Sequence, residues 1–332
     1  MKTGFLLLNL GTPEGPDFWS VWQYLRVFLA DKRVITLPAP LRYLLLYGLI
    51  LPTRVIKSSH AYQSIWTPQG SPLRVHGEAL CQALQAQLGA QYQIALAMRY
   101  GHPSIDSALE QLDDCQQLTI LPLYPQYASA STGSSLEAVL KKIAQKRVIP
   151  NVTVIREFYD HPGFIKAQAD LIAPYVSDHE HLVLSYHGLP QQQIAQSGCH
   201  GGCEAACPVS SKGLPDPECY RAQCYQTTAL LAEALQLTKD QYTTAFQSRL
   251  GRTPWVKPYL EDVLESLAKD KIKRIAIVCP SFVADCLETL EEIGMRGQEF
   301  WKNLGGEQLT LIPCLNANDQ WRDALITILT NE

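Results

Sequence analysis

The stretch Leu182-Val183-Leu184-Ser185-Tyr186-His187-Gly188-Leu189-Pro190 decides how the rest of the chain is read. Three consecutive apolar residues predict a buried strand, and Gly-Leu-Pro stops it at once. His187 therefore stands at a strand's carboxyl end, the side on which open α/β sheets bind ligands. Histidine side chains titrate near neutral pH, so one in that position can take up a proton or ligate a metal. The plainer alternative is a core histidine satisfied by one backbone hydrogen bond. The choice between the two rests on what surrounds it in the chain.

Outward from His187, short apolar runs alternate with longer amphipathic stretches, the pattern of an α/β protein. Strands are expected at Phe5 to Asn9, Gln93 to Met98, Leu118 to Leu121 and Val152 to Arg156, then at Leu182 to Tyr186, Tyr242 to Gln247, Arg274 to Cys279 and Leu309 to Ile312. Helices are expected between them, for example Leu73 to Leu88, Leu136 to Lys146, Phe164 to Tyr175, Cys224 to Leu237 and Glu288 to Leu304. Four strands with their crossovers, followed by four more, read as two similar three-layer domains. Residues 1–160 form the first and 161–332 the second, with a C-terminal helix. A ligand is expected in the cleft between them, facing the strand ends. The strand ends carry polar and aromatic groups: Asn9-Leu10-Gly11-Thr12, Met98-Arg99-Tyr100, Tyr124-Pro125-Gln126-Tyr127, Gln247-Ser248-Arg249 and Cys279-Pro280-Ser281-Phe282. No GxGxxG follows the first strand, so a dinucleotide is not supported.

The bulk numbers narrow the class. A chain of 332 residues, 46% hydrophobic and 18% charged, is long enough for two cores and too apolar for disorder. A formal net charge of −4 gives no case for nucleic acid. The N-terminal apolar run is too short for a signal-peptide core, and no apolar stretch reaches the ~20 residues needed to span a bilayer, so a cytoplasmic protein is expected. Leu37 to Leu51 is unusual: it holds no acid and one base, Arg42. It reads either as a buried helix or as an exposed apolar lip, about residues 37–53, that touches a membrane or a greasy flat substrate. In the second case peripheral contact with the inner face of the plasma membrane is expected.

Several strings together resemble the ferrochelatase family, whose members insert Fe2+ into a porphyrin. They are LLLNLGTP at 6–13, RVFLADKRVITLP at 26–38, GSPL at 70–73, AMRYGHP at 97–103, LPLYPQY at 121–127, SYHGLP at 185–190, QSRLGRTPWVKP at 247–258 and CPSFVADCLETLEEI at 279–293. The resemblance covers about residues 4 to 328. It implies two Rossmann-like domains, each a four-stranded parallel sheet flanked by helices. It also implies an active-site histidine, His187, with an acidic partner, Glu288, both contacting or delivering the iron substrate. Protohaem from protoporphyrin IX is the product it implies, made by a lyase that works as a monomer or a homodimer.

The chemistry asks for such groups. A free-base porphyrin carries two pyrrole N–H protons that must leave as the metal enters, so a base is needed near the ring centre. Imidazole with carboxylate holds Fe2+ well enough to bind it and, with few ligands, weakly enough to release it. Glu288 can act as transient ligand or next proton acceptor. It can equally be a helix-start charge, which acids favour. Glu291 and Glu292 could extend a proton path. An enzyme gains rate by holding the macrocycle bent, and Tyr62, Tyr124, Tyr127, Trp255 and Phe282 are candidate walls. Trp255 and Phe282 lie in strings that resemble the family's pocket. Propionates need cations or hydroxyls, and Arg54, Ser71 and Arg99 lie in matching strings.

Ten cysteines in a chain of this kind are not expected to form a disulfide set. Five of them, Cys199, Cys203, Cys207, Cys219 and Cys224, follow His187 closely. Relative to the family's usual string, the segment 199–219 is an insertion spaced C-x3-C-x3-C-x11-C. Four thiolates match a 2Fe–2S cluster or a structural zinc, and the absence of C-x2-C pairs favours iron–sulfur. Some ferrochelatases resemble this chain in carrying such a cluster in an internal insertion. Cys224 is the spare, able to exchange with Cys219, and His200 could replace one ligand. Two other readings stay open: a chelatase for coproporphyrin III or another tetrapyrrole and metal, and a porphyrin- or haem-binding carrier.

Overall fold

The structure is a computed structural model that describes residues 2–197, 199, 203, 207, 218–249, 251 and 253–330. His200 and most of the cysteine insertion lie outside the described residues. The chain divides into two compact units, one of residues 1–124 and 128–157, the other of 125–127 and 158–332.

The first unit is built on β1 (Thr3–Gly11), β2 (Tyr92–Tyr100), β3 (Gln117–Pro122) and β4 (Asn151–Val154), in the order β2-β1-β3-β4 with every pair parallel. Parallel strands covered on both faces read as continuous apolar runs, and Phe5, Leu6, Leu7 and Leu8 are all buried. Leu6 and Leu8 face one side at the two-residue period of a strand. There they meet Ala95, Ala97, Leu118 and Ile120, the Ile105, Ala108 and Leu109 stripe of helix Ile105–Gln111, and its capping Leu112. The turn after β1 requires glycine. Gly11 has φ +114°, and a Cβ there would lie 1.7 Å from the Tyr100 carbonyl oxygen.

The second unit repeats the plan. Strands β5 (His181–His187), β6 (Tyr242–Gln247), β7 (Arg274–Val278) and β8 (Gln308–Leu311) are parallel in the order β6-β5-β7-β8. Val183, Ala245, Ile275 and Ile277 pack against Leu260, Val263, Leu264 and Leu267, again at i, i+3, i+4, i+7 on one helix (Leu260–Lys269). In both sheets the first strand lies between the second and third, so the topological switch point falls at its carboxyl end. In the second unit that end is His187.

Contrary to the expectation that no apolar stretch reaches spanning length, residues 39–65 form one continuous helical run of 27 residues, long and apolar enough by length and composition to cross a bilayer. Its two halves differ. Leu51, Val55, Ser59, Tyr62 and Ile65 are buried in the first unit, so that half is a core helix. Residues 39–50 are the opposite: Leu41, Tyr43, Leu44, Tyr47 and Leu49 are exposed, Leu44 by 70%. Of the two readings of this stretch, the exposed lip is the one the structure has. A π-helical turn, Leu46–Ile50, joins the halves.

Candidate active site

β5 delivers His187 to the switch point, and the next residues hold it. Its Nδ1 lies 2.6 Å from the Gly188 carbonyl oxygen. A carbonyl only accepts, so Nδ1 carries the hydrogen and Nε2 is left as the acceptor. The His187 amide donates to Ser281 Oγ at 3.1 Å, and the His187 carbonyl accepts from the Tyr220 hydroxyl at 2.7 Å. The Phe282 ring stands edge-on to the imidazole, 6.3 Å between centroids. Gly188 leaves no room for a side chain: a Cβ would lie 2.7 Å from the Gln247 carbonyl oxygen and 3.2 Å from the Trp255 ring. The strand-end residues of β5, β6 and β7 therefore converge on one imidazole.

The acids come from the segment after β7. Leu287–Leu290 is a single helical turn capped by Cys286, and Glu288 lies in it. Gln247 ties that turn to the sheet: its Nε2 donates to the Glu288 carbonyl at 2.8 Å while its Oε1 accepts from Ser185 Oγ at 2.7 Å. A π-helical turn, Glu292–Gly297, follows. Glu292 at its start accepts from the Ser248 amide at 2.8 Å and the Ser248 hydroxyl at 2.7 Å. Burial pushes the Glu292 carboxyl up; the Ser248 hydroxyl and the His187 imidazole pull it down, and the Glu288 carboxylate pushes it up again. His187, Glu288 and Glu292 thus share one electrostatic neighbourhood.

Behind the turn, Asp285 anchors it. Its Oδ1 accepts from Thr289 Oγ1 at 3.2 Å and the Cys314 amide at 3.2 Å, and its Oδ2 accepts from Asn316 Nδ2 at 2.7 Å. Asn316 accepts in return from the Asp285 amide at 2.8 Å. Asn316 holds φ 52°, a left-handed conformation that asparagine tolerates better than most residues. No pattern in the sequence points to this asparagine. It lies 31 residues from Asp285, in a loop after β8.

Cys203 and Tyr220 are tied to the same neighbourhood. Gln191 Nε2 donates to the Cys203 carbonyl and to the Trp255 carbonyl, each at 3.2 Å. Tyr220, next to Cys219, is the residue bonded to His187. The Cys203 thiol is buried and pushed up to about 12, by burial first and then by Cys219, Cys199 and Cys207 around it, with Arg221 opposing. Cys224 is fully buried against Tyr220. Among the described residues, no three His, Cys, Asp or Glu side chains stand close enough to hold a single metal ion.

The remaining sequence candidates fall where their elements put them. Trp255 is buried against the Gly188 turn, and the Tyr127 amide donates to Gln223 Oε1 at 2.6 Å, both in the second unit. In the first unit, Arg99 pairs with Asp31 at 2.8 Å and bonds Ser134; Tyr62 is buried between Tyr24 and Trp66. Ser71 accepts from Thr12 Oγ1 at 2.8 Å, and Arg54 is half-buried, its guanidinium pulled down by that burial. Tyr124 is raised by burial, its hydroxyl 3.5 Å from Ser135 Oγ.

Two parallel four-stranded sheets of matching order make this a chelatase-like α/β protein. The same fold is found in the cobalt complex of the sirohydrochlorin chelatase SirB from Bacillus subtilis subspecies spizizenii (TM-score 0.56, 12% identity, 100% of this chain and 95% of that chain). A family model described as Ferrochelatase matches residues 2–332. The chain is 54% identical to a ferrochelatase of Legionella pneumophila strain Philadelphia 1, over 100% of both chains. It is 45% identical to one of Coxiella burnetii strain Dugway 5J108-111, over 98% of this chain and 92% of that one. The chain belongs to the ferrochelatase family: it is a lyase that inserts Fe2+ into a porphyrin to make haem.

Proposed function

We propose that His187 Nε2 accepts the pyrrole protons, and that Glu288, with Glu292 behind it, receives Fe2+ transiently and carries the protons away. The observation that carries this reading is the Nδ1–Gly188 bond, which fixes the tautomer so that the other ring nitrogen is the base. A carboxylate raised by burial, as Glu292 is, takes up a proton more readily than a surface acid. Protoporphyrin IX is the substrate we favour, because the exposed apolar lip suits the greasier ring over coproporphyrin III. The test is zinc insertion, read as zinc-porphyrin fluorescence with the two porphyrins side by side. His187→Ala is expected to bind porphyrin and not metallate it. A carrier would bind porphyrin and turn nothing over in either form. Normal insertion by the variant would sink the assignment.

We also propose that Cys199, Cys203, Cys207 and Cys219 hold a 2Fe–2S cluster. Cys219, Cys199 and Cys207 each act on the buried Cys203 thiol, and such thiols are costly as thiolates and favourable once a cationic group neutralises them. The buried position of Cys224 beside Tyr220 favours Cys219 as the fourth ligand. Zinc is the alternative occupant. Cys203→Ser is expected to bleach the visible iron–sulfur spectrum, and retained colour would refute the ligand set.

Finally, we propose that residues 39–50 rest on a membrane, apolar side chains down, while the protein stays on the cytoplasmic side. Leu44 and Leu49, exposed by 70% and 57%, supply the contact. Leu44→Asp is expected to abolish flotation with lipid vesicles; equal flotation would refute the contact.

A further inference from the structure

Behind the lip, in the same unit, lies a cavity of about 500 Å³ lined by Lys32, Arg42, Arg99, Lys141 and Lys142 against two carboxylates, Asp31 and Glu137. The carboxylates are already committed. Asp31 Oδ2 accepts from Arg99 Nη2 at 2.8 Å, the Tyr100 hydroxyl at 2.8 Å and Ser134 Oγ at 2.6 Å. Glu137 is shared by Lys141 at 2.5 Å, Arg33 at 2.7 Å and Lys32 at 3.2 Å. Bonds from Lys141, Arg33 and Lys32 hold its carboxyl down at about 2. Five basic side chains line the cavity against two carboxylates, so it keeps a positive excess. Lys142 reaches Asp106 at 2.9 Å, outside the lining.

Arg42 is the second observation. It donates Nη1 to the Leu37 carbonyl at 2.9 Å, while its Nε–H is buried with no hydrogen-bond partner among the described residues. A buried guanidinium nitrogen without an acceptor is unfavourable unless something else supplies one. Charge segregation in the sequence points the same way. Between Asp31 and Glu78 there is no acid, while Lys32, Arg33, Arg42, Arg54, Lys57 and Arg74 all fall there, in a chain of net charge −4.

We propose that this cavity binds the phosphate of an anionic phospholipid headgroup when the lip rests on a bilayer. The proposal deepens the membrane reading above and rests on it. The geometry selects a lipid phosphate over a soluble one. Arg42 lies on the seven-residue helix Ala39–Leu45, which also bears exposed Leu41 and Leu44. Such a helix is about 10 Å long. With Leu41 and Leu44 in the acyl boundary, Arg42 and the cavity mouth lie at headgroup depth, where guanidinium and ammonium groups meet phosphates. Arg99, whose Nε and Nη2 are held by Ser134 and Asp31, forms the inner wall.

The experiment is flotation of the full chain with two vesicle types at about 0.1 M salt, where exposed charges more than about 10 Å apart are screened. One type is phosphatidylcholine alone; the other carries about 30% phosphatidylglycerol, the anionic component. Wild type is compared with Lys32→Gln/Lys142→Gln and with Leu44→Asp, each first checked by circular dichroism and thermal melting to confirm its fold. Neutral vesicles read the lip: the lysine variant is expected to match wild type there, and Leu44→Asp to lose binding. The increment on anionic vesicles reads the cavity: the lysine variant is expected to lose roughly 30-fold in affinity, the worth of two basic residues at an anionic surface. Wild-type-like binding of the lysine variant to anionic vesicles overturns the cavity assignment and leaves the lip standing. Neutral binding unaffected by Leu44→Asp overturns the lip. In a third arm inorganic phosphate replaces chloride at equal ionic strength. If it alone erases the anionic increment, the cavity is a site for free phosphate and the lipid assignment falls.

Discussion

Asn316→Ala tests whether the turn bearing Glu288 is held from behind. The side chain makes two bonds with Asp285: Nδ2 to the carboxylate at 2.7 Å, and Oδ1 from the amide at 2.8 Å. Asp285 is 6% exposed, so water does not replace the donor. Losing a bond to a charged group costs about 1.5–3 kcal/mol and losing the neutral one about 0.5–1.5. Alanine at φ 52° adds up to about 1 kcal/mol over asparagine. The local cost is therefore about 2–5.5 kcal/mol. Native-state hydrogen exchange is the suitable assay, because a two-unit chain need not unfold in one step. The Asp285 amide, bonded to Asn316, and the Cys314 amide, bonded to Asp285, are the reporters. Their protection is expected to fall at least about 30-fold, the value of 2 kcal/mol at 1.36 kcal/mol per decade. Zinc-insertion kcat is expected to fall more than porphyrin KM rises, since the turn bearing Glu288 is what loosens. Asn316→Gly removes the same bonds without the backbone strain and is expected to recover up to about 1 kcal/mol. Protection unchanged within threefold in Asn316→Ala would refute the clamp.

Ser248→Ala removes the hydroxyl that draws the Glu292 carboxyl down. Glu292 then protonates at higher pH, so the acidic limb of the insertion rate is expected to move upward; an unmoved limb would take Glu292 out of the proton path. Gly188→Ala sets a Cβ 2.7 Å from a backbone oxygen and 3.2 Å from Trp255. It is expected to cost about 1–3 kcal/mol in urea unfolding and to slow insertion by displacing His187. Glu137→Gln probes the charge cluster of the first unit. Since the folded carboxyl sits at about 2 against an ordinary 4.5, its stabilisation is present above 4.5 and is lost as pH falls toward 2. The variant's melting temperature is expected to vary less over that window than wild type's.

Much of this was legible in the chain itself. All eight strands fall at the expected places; the central ones were plainest, because a parallel strand covered on both faces is apolar throughout, as Phe5 to Leu8 and Leu182 to Leu184 are. His187 was legible because Gly188 and Pro190 end its strand abruptly. Glu288 was visible only in the string around it, and Glu292 carried no mark separating it from a surface glutamate. Its character comes from burial, with Ser248 reaching it from the end of another strand at φ 65°.

What local sequence determines is whatever depends on neighbours within a few residues: strand and helix period, the turns that stop them, the cysteine spacing, and the apolar stretch at 37–51. Tertiary structure decided which of two readings that stretch takes, because burial depends on what packs on it. It also decided that Asn316 clamps Asp285 and that Lys32, Arg42, Arg99 and Lys142 share a cavity. Apart from Lys32 and Arg42 on one crossover, these groups lie tens of residues apart on different elements. Their meeting is set by which strand neighbours which in the parallel sheets, and no local pattern encodes that order.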